Sequence, residues 1–167
     1  MKEEYFDIVD ENDLVIGKAP RSECHSNPNL THRGVFVIPV NKKEEILISK
    51  RSMKKDTNPG KWELLAEHNK LGESYYNAAV RGVREELGIS TIPVKITKIK
   101  ISSNRETEFD EIFLCRIIDE KISFDKNEIT EIRFMSPKKL RQELKHTKEL
   151  FTAWFLKVIS KYFKYIK

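Results

Sequence analysis

Apolar positions recur along this chain with two different spacings, and the changes of spacing mark out the elements. Tyr5–Val9 and Leu14–Lys18 are short runs suited to strands, joined by the polar turn Glu11-Asn12-Asp13. Pro20–His25 has room for one helical turn, closed by Asn27-Pro28. Gly34–Val40 and Ile46–Lys50 predict apolar strands joined by the polar Asn41–Glu45. A loop ends at Pro59-Gly60, and Trp62–Leu65 is short and apolar. The spacing then lengthens. Ala79, Val83 and Leu87 recur every four residues, which predicts a helix over Ser74–Leu87 with Ser74 as its N-cap and Gly88 just past its end. Val94–Ile101, Glu111–Ile117 and Ile129–Met135 return to strand patterning. Ser136–Leu144 predicts a helix. Thr147–Ile166 predicts a longer one, with apolar residues from Leu150 through Trp154 and Phe155 to Ile166. Strands, a helix, more strands and terminal helices imply an α/β layered architecture. With no repeat and no composition break, residues 1–167 are expected to form a single domain.

Composition narrows the class. Of the 167 residues, 39% are hydrophobic and 34% charged, as in a soluble globular protein. No apolar run reaches the ~18 residues of a membrane span, and the polar start Met1-Lys2-Glu3-Glu4 does not read as a signal peptide. Cys24 and Cys115 stand alone without metal spacing, which fits a reducing, cytoplasmic setting. The net charge of +5 favours anionic ligands without choosing among them. Lys157, Lys161, Lys164 and Lys167 line one side of the last helix. That pattern is read first as a solvated face, with RNA or an anionic membrane as the alternatives. Nucleic acid is therefore compatible with the chain but not called for by its pattern.

The strongest chemistry sits on the central helix. Gly82, Glu85 and Glu86, at i, i+3 and i+4, share the edge opposite the apolar stripe. Two carboxylates there suit a hard cation such as Mg²⁺ or Mn²⁺, and Arg81, four residues before Glu85, can brace it. An EE pair alone is usually a solvated acidic face, so the surrounding residues decide. Gly72-Glu73, seven residues, Arg81, Val83 and Arg84-Glu85-Glu86-Leu87-Gly88-Ile89 resemble the Nudix signature, and Pro59-Gly60-Lys61-Trp62 resembles its lead-in. The resemblance implies a Nudix fold, an α/β/α sandwich with a mixed sheet, in which a strand–loop–helix segment holds metal against a diphosphate. Two signature positions differ. Glu67 stands where the first glycine falls, and Gly82 stands where a glutamate, often a metal ligand and general base, follows the arginine. A glycine in a helix interior costs about 1 kcal/mol relative to alanine. The pair of changes predicts that Glu67 fills the space left at Gly82 and brings its carboxylate towards Glu85 and Glu86; the other reading is decay of a lost site.

A narrower resemblance covers roughly Asp7 to Phe155. His25 and His32, with His68 in the signature loop, resemble the type I isopentenyl-diphosphate isomerases and related hydrolases, in which such histidines and glutamates of a later strand bind a catalytic metal. The resemblance implies a second, transition-metal site using Glu111 as a ligand. Phe109 stands where another glutamate would align, and Glu108 or Asp110 is its substitute. It also implies that Arg21, Arg51 and Lys55 hold the diphosphate and that Trp154 faces the substrate, although Trp154 on so long an apolar stripe is more simply a packing residue. Ala66 stands at the position of the isomerases' catalytic cysteine, and alanine cannot move a proton.

These readings converge on a metal-dependent Nudix hydrolase of a small organic diphosphate, nucleoside-derived or related, with Glu67 and Glu86 as catalytic carboxylates and Glu85, Glu86 and Glu111 as metal ligands. A non-catalytic diphosphate- or partner-binding module is the first alternative. An isomerase with a rebuilt proton relay is the second.

Overall fold

The computed structural model describes residues 3–118 and 121–166. In chain order it has β1 (Tyr5–Val9), β2 (Val15–Pro20), α1 (Arg21–Cys24), β3 (Thr31–Val40), β4 (Ile46–Arg51), β5 (Trp62–Glu63), β6 (Leu65–His68), α2 (Tyr75–Leu87), β7 (Val94–Ser102), β8 (Thr107–Arg116), β9 (Ile129–Met135), α3 (Pro137–Glu143) and α4 (Ala153–Tyr165). β1 and β2 form an antiparallel hairpin of their own. The other strands make a mixed sheet ordered β5-β4-β3-β8-β7, with β6 also on β3 and β9 also on β4. The β3–β8 pair is parallel, from Thr31↔Thr107 to Val40↔Arg116, while β3–β6, β4–β9 and β7–β8 are antiparallel.

Alternation along the strands sorts the core into two layers. Val35, Val37, Leu65, Phe113 and Cys115 meet Ala78, Ala79, Val83 and Leu87 of α2 on one face. Phe36, Ile38, Ile48, Trp62 and Ile112 meet Leu140 of α3 and Phe155, Val158, Ile159 and Tyr162 of α4 on the other. The result is the α/β/α sandwich expected from the element order.

The α2 termini follow their chemistry. Ser74 accepts a hydrogen bond from the backbone N–H of Asn77, and Gly88 closes the helix at φ 68°, a left-handed conformation that suits glycine. The C-terminal region departs from expectation. The continuous helix predicted over Thr147–Ile166 is instead a 3₁₀ turn over Lys148–Leu150, an extended Phe151, and then α4. Phe151 bridges Trp62 of β5, Thr152 N–H donates to the Trp62 carbonyl (3.0 Å), and the Thr152 hydroxyl caps α4 at Phe155 N–H (3.1 Å). Pairing with an edge strand and a threonine cap together restart the helix at Ala153. Among the described residues, no helix is long and apolar enough to cross a membrane.

Candidate active site

β6 organises the site, because its consecutive side chains point to opposite faces of the sheet. Leu65 and Glu67 face α2; Ala66 and His68 face the α3–α4 layer. Both faces open into one cavity of about 1000 Å³, lined among others by Glu67, His68, Arg81, Glu86, Glu108 and Trp154.

On the α2 face, the space at Gly82 is taken by Glu67. A Cβ built on Gly82 would stand 2.5 Å from Cγ of Glu67 and 3.2 Å from Cδ2 of Leu65. No side chain fits there while Glu67 keeps its position, so the helix needs glycine and accepts its cost. The Glu67 carboxylate is held by Arg81, whose Nη1 donates to Glu67 (2.9 Å) and to Glu85 (3.1 Å). The same guanidinium donates through Nε and Nη2 to Glu73, at 3.0 Å each, and through Nη2 to the His68 carbonyl at 2.8 Å. One planar cation thus ties β6, the signature loop and α2 together. Its own pKa is raised, first by the hydrogen bond to Glu73 and then by Glu67, against the cost of burial.

Of the helix carboxylates only Glu86 lines the cavity; Glu85 is half-exposed and bound to Arg81. Glu67, Glu86, Glu63 and Glu128 are among the carboxylates that line the cavity. Burial, and then the charges of Glu67, Glu63 and Glu128, push the Glu86 carboxyl up to about 7. Arg51 is braced by Glu63 (2.8 Å) and by the Thr57 carbonyl (2.9 Å), and Lys55 pairs with Glu128, so both basic residues stand at the cavity wall beside carboxylates. Arg21 also lines the cavity.

On the other face, His25, His32 and His68 converge. One ring nitrogen from each falls in a group whose members all lie within 4.8 Å of one another, and His32, Glu106 and Glu108 form a second such group. Oε1 of Glu108 is 2.9 Å from Nε2 of His32 and 3.0 Å from Nε2 of His68. Glu106 is 3.8 Å from His25. Phe6 stacks on His32 and His68 with ring centroids 5.4 and 5.0 Å apart, which fixes their planes from below. Nδ1 of His32 and Nε2 of His25 are buried without a hydrogen-bond partner among the described residues, an arrangement that costs free energy unless a ligand takes those lone pairs. Burial, with neighbouring positive charge, pulls His25 down to about 3. Burial alone would raise Glu108, yet the two imidazoles hold its carboxyl well below the usual range.

Glu111 does not belong to this group. Three residues beyond Glu108 on β8, it points to the α2 face, where it pairs with Lys95. The glutamates that meet the histidines are Glu106 and Glu108, two positions apart and so on one face. Ala66 lines the cavity between the two clusters. Trp154, at the start of α4, is half-buried; it both packs on the core and lines the cavity, and Nζ of Lys157 lies 4.8 Å from its ring centroid.

A sandwich with a strand–loop–helix segment carrying carboxylates into a polar cavity defines the class of fold, and sequence comparison supplies the family. The model of the NUDIX domain matches residues 30–155, and the chain belongs to the Nudix family. It is similar to an isopentenyl-diphosphate Delta-isomerase of Streptomyces coelicolor, 29% identical over 163 residues that cover 93% of this chain and 81% of that protein. It is similar also to an uncharacterized Nudix hydrolase of Listeria innocua, 31% identical over 156 residues covering 92% of this chain and 91% of that protein. Among solved structures, a Deinococcus radiodurans protein matches with TM-score 0.80 at 21% identity, covering 95% of this chain and 99% of that one. The Nudix domain of a Shewanella oneidensis protein in complex with ADP ribose matches with TM-score 0.63 at 10% identity, covering 81% and 88%.

Proposed function

We propose that this chain is a metal-dependent hydrolase of an organic diphosphate, in which Glu67 takes the part of the glutamate missing at position 82. The observation that carries the reading is the interlock of Glu67 with Gly82, beside a Glu86 carboxyl that burial and like charge make costly to ionise alone. Carboxylate oxygens gathered in one cavity suit Mg²⁺ or Mn²⁺. Glu86 and Glu67 would hold such an ion, with Glu85 as a further donor at the rim. When bound, the ion supplies charge neutralisation for the diphosphate and lowers the pKa of an attacking water. Glu67, held in place by its hydrogen bond from Arg81, would orient that water and accept its proton. Arg21, Arg51 and Lys55 would grip phosphate oxygens, and Trp154 would cover the organic group at the mouth.

The histidine cluster fits a second metal. Its unpartnered, buried imidazole nitrogens beside two carboxylates make a nitrogen–oxygen donor set suited to Zn²⁺, Mn²⁺ or Fe²⁺. His25, His32 and His68 would hold it together with Glu106 and Glu108. Similarity to a named isopentenyl-diphosphate isomerase favours a second reading, proton relay on an isoprenoid diphosphate. Ala66 speaks against it, since no thiol or other proton carrier takes the cysteine's place there. The single domain and a cytoplasmic location remain part of this reading.

The test is turnover of a panel of nucleotide and dinucleotide diphosphates and isopentenyl diphosphate with Mg²⁺ or Mn²⁺. Phosphate or monophosphate release that falls about 10²–10⁴-fold in Glu86→Gln is the expected result. Tight diphosphate binding without turnover would replace the hydrolase by a binding module. Deuterium uptake from solvent into isopentenyl diphosphate would replace it by an isomerase.

A further inference from the structure

The positive charge of this protein is not spread over its surface. Residues 136–167 carry 9 of the 31 lysines and arginines but 2 of the 26 acidic residues, a net +7. The preceding 135 residues carry the remaining 22 and 24, a net of −2. Sequence alone reads the lysines of the last helix as a solvated face. The structure adds two observations that this reading does not explain.

The first is the lack of counter-charge. At the far edge of the sheet the cations are paired: Lys95 with Glu111, Lys98 with Asp13, Lys100 with Glu11 and Arg116 with Glu44. Among the described residues, none of the eight lysines and arginines between positions 138 and 164 makes an ion pair, although all eight are exposed. The second is what accompanies the charge. Lys157 lies over the Trp154 ring at 4.8 Å, Arg141 of α3 lies over the Phe163 ring at 4.3 Å and donates to the Phe163 carbonyl at 3.3 Å, and Tyr165 is 54% exposed. Cations thus run along the outer side of α4, flanked by the partly buried rings of Trp154 and Phe163 and by the exposed ring of Tyr165 at its end. Lys157, Lys161 and Lys164 span ~10 Å of helix, starting beside Trp154 at the cavity mouth.

We infer that the outer face of α3 and α4 is a binding surface for single-stranded nucleic acid. Such strands are held by cations that follow the phosphates and by rings on which bases stack. Both are present here: Lys157, Lys161 and Lys164 along the face, and the exposed Tyr165 ring at its end. A membrane fits less well, because a helix lying on a bilayer needs its apolar face for the lipid. The apolar face of α4, Phe155, Val158, Ile159 and Tyr162, is buried in the core. The inference rests on the charge and ring pattern and not on the chemistry of the cavity.

The test is fluorescence anisotropy of a labelled oligouridylate titrated with the full chain at several salt concentrations. Saturable binding that weakens with salt is expected. In the triple variant Lys157→Gln, Lys161→Gln, Lys164→Gln, affinity should fall at least about 10-fold and the slope of log K against log salt should shrink by about 2. Tyr165→Ala should lower affinity about 5-fold or more with the salt slope unchanged, the signature of stacking. All substitutions are at exposed positions, and circular dichroism verifies that the variants are folded. Absence of saturable binding overturns the inference. So does an equal loss in a control triple at Lys43, Lys121 and Lys126, or binding to phosphatidylserine vesicles without binding to the oligonucleotide.

Discussion

Glu67 and His68 are consecutive residues of one strand, and their surroundings are chemically opposite. Glu67 enters a network already balanced by a cation. Arg81 takes Glu67, Glu73 and Glu85 at 2.9–3.1 Å, so that side of β6 is ordered by the chain itself. His68 enters a group of imidazoles and carboxylates in which Nδ1 of His32 and Nε2 of His25 are buried without a hydrogen-bond partner among the described residues. The difference shows how a fold can keep two anionic and basic clusters a single strand apart. One is made rigid by an internal guanidinium. The other keeps imidazole nitrogens without partners, and the alternation of side chains along β6 separates the two.

The comparison breaks most readily at Arg81. Replacing it in Arg81→Met removes the only cation that, among the described residues, pairs with Glu67 and Glu73, and leaves partly buried carboxylates facing one another. Stability should fall by about 3 kcal/mol in urea denaturation, while transition-metal binding at the histidines persists. A loss well under 1 kcal/mol would mean that Arg81 is an ordinary surface pair. The converse substitution, Glu108→Gln, should lower Zn²⁺ or Mn²⁺ affinity at the histidine cluster about 10–100-fold in calorimetry and leave Mg²⁺ binding at Glu86 unchanged. If both affinities fell together, the two clusters would be one site.

The smallest effect is a pH dependence. Burial and the charges of Glu67, Glu63 and Glu128 raise Glu86 from 4.5 to about 7 in the folded chain. Below pH 4.5 both folded and unfolded states keep the proton. Between 4.5 and about 7 the unfolded chain releases it while the folded chain retains it, so Glu86 makes stability fall as pH rises through that window. Glu86→Gln should flatten this decline in metal-free thermal melts, and Mg²⁺ should offset it in the unsubstituted chain. A decline equally steep in Glu86→Gln would assign it to other groups.

Local patterning carried much of the fold. The α2 boundaries follow from Ser74 and Gly88, and β1 and β9 from their apolar runs, because caps and alternation are properties of neighbouring residues. Two features were hidden in contacts between distant ones. Arg105-Glu106-Thr107-Glu108 has no apolar residue and reads as a loop, yet β8 starts at Thr107 because it pairs with Thr31 and with Ser102. With the strand start placed at Glu111, one of the later-strand ligands was assigned to the other side of the sheet, while Glu108, named as the substitute at the second position, does meet His32 and His68. The spacing of Glu106 and Glu108, two apart and therefore on one face, was the available signal. The break at Phe151 was hidden in the same way, since its bridge partner, Trp62, lies far back in the sequence. Thr152 before Ala153 was a cap signal outweighed by the apolar stripe. The exchange between Glu67 and Gly82 was legible because both positions depart from one signature, and the structure adds that no Cβ fits at Gly82 while Glu67 is in place.

The measurement that bears most directly on Glu67 as a relocated catalytic carboxylate is Mg²⁺-dependent turnover across four proteins: the unsubstituted chain, Glu67→Gly, Gly82→Glu, and the two substitutions combined. The account predicts that Glu67→Gly loses about 10²–10⁴-fold, and that Gly82→Glu alone is impaired by crowding against Glu67 and by like-charge repulsion. The combined variant, which restores the usual signature, should then recover at least part of the activity. The coupling between the two positions should be large and positive. Indifference to Glu67→Gly, together with a gain of metal affinity and activity in Gly82→Glu alone, would contradict it.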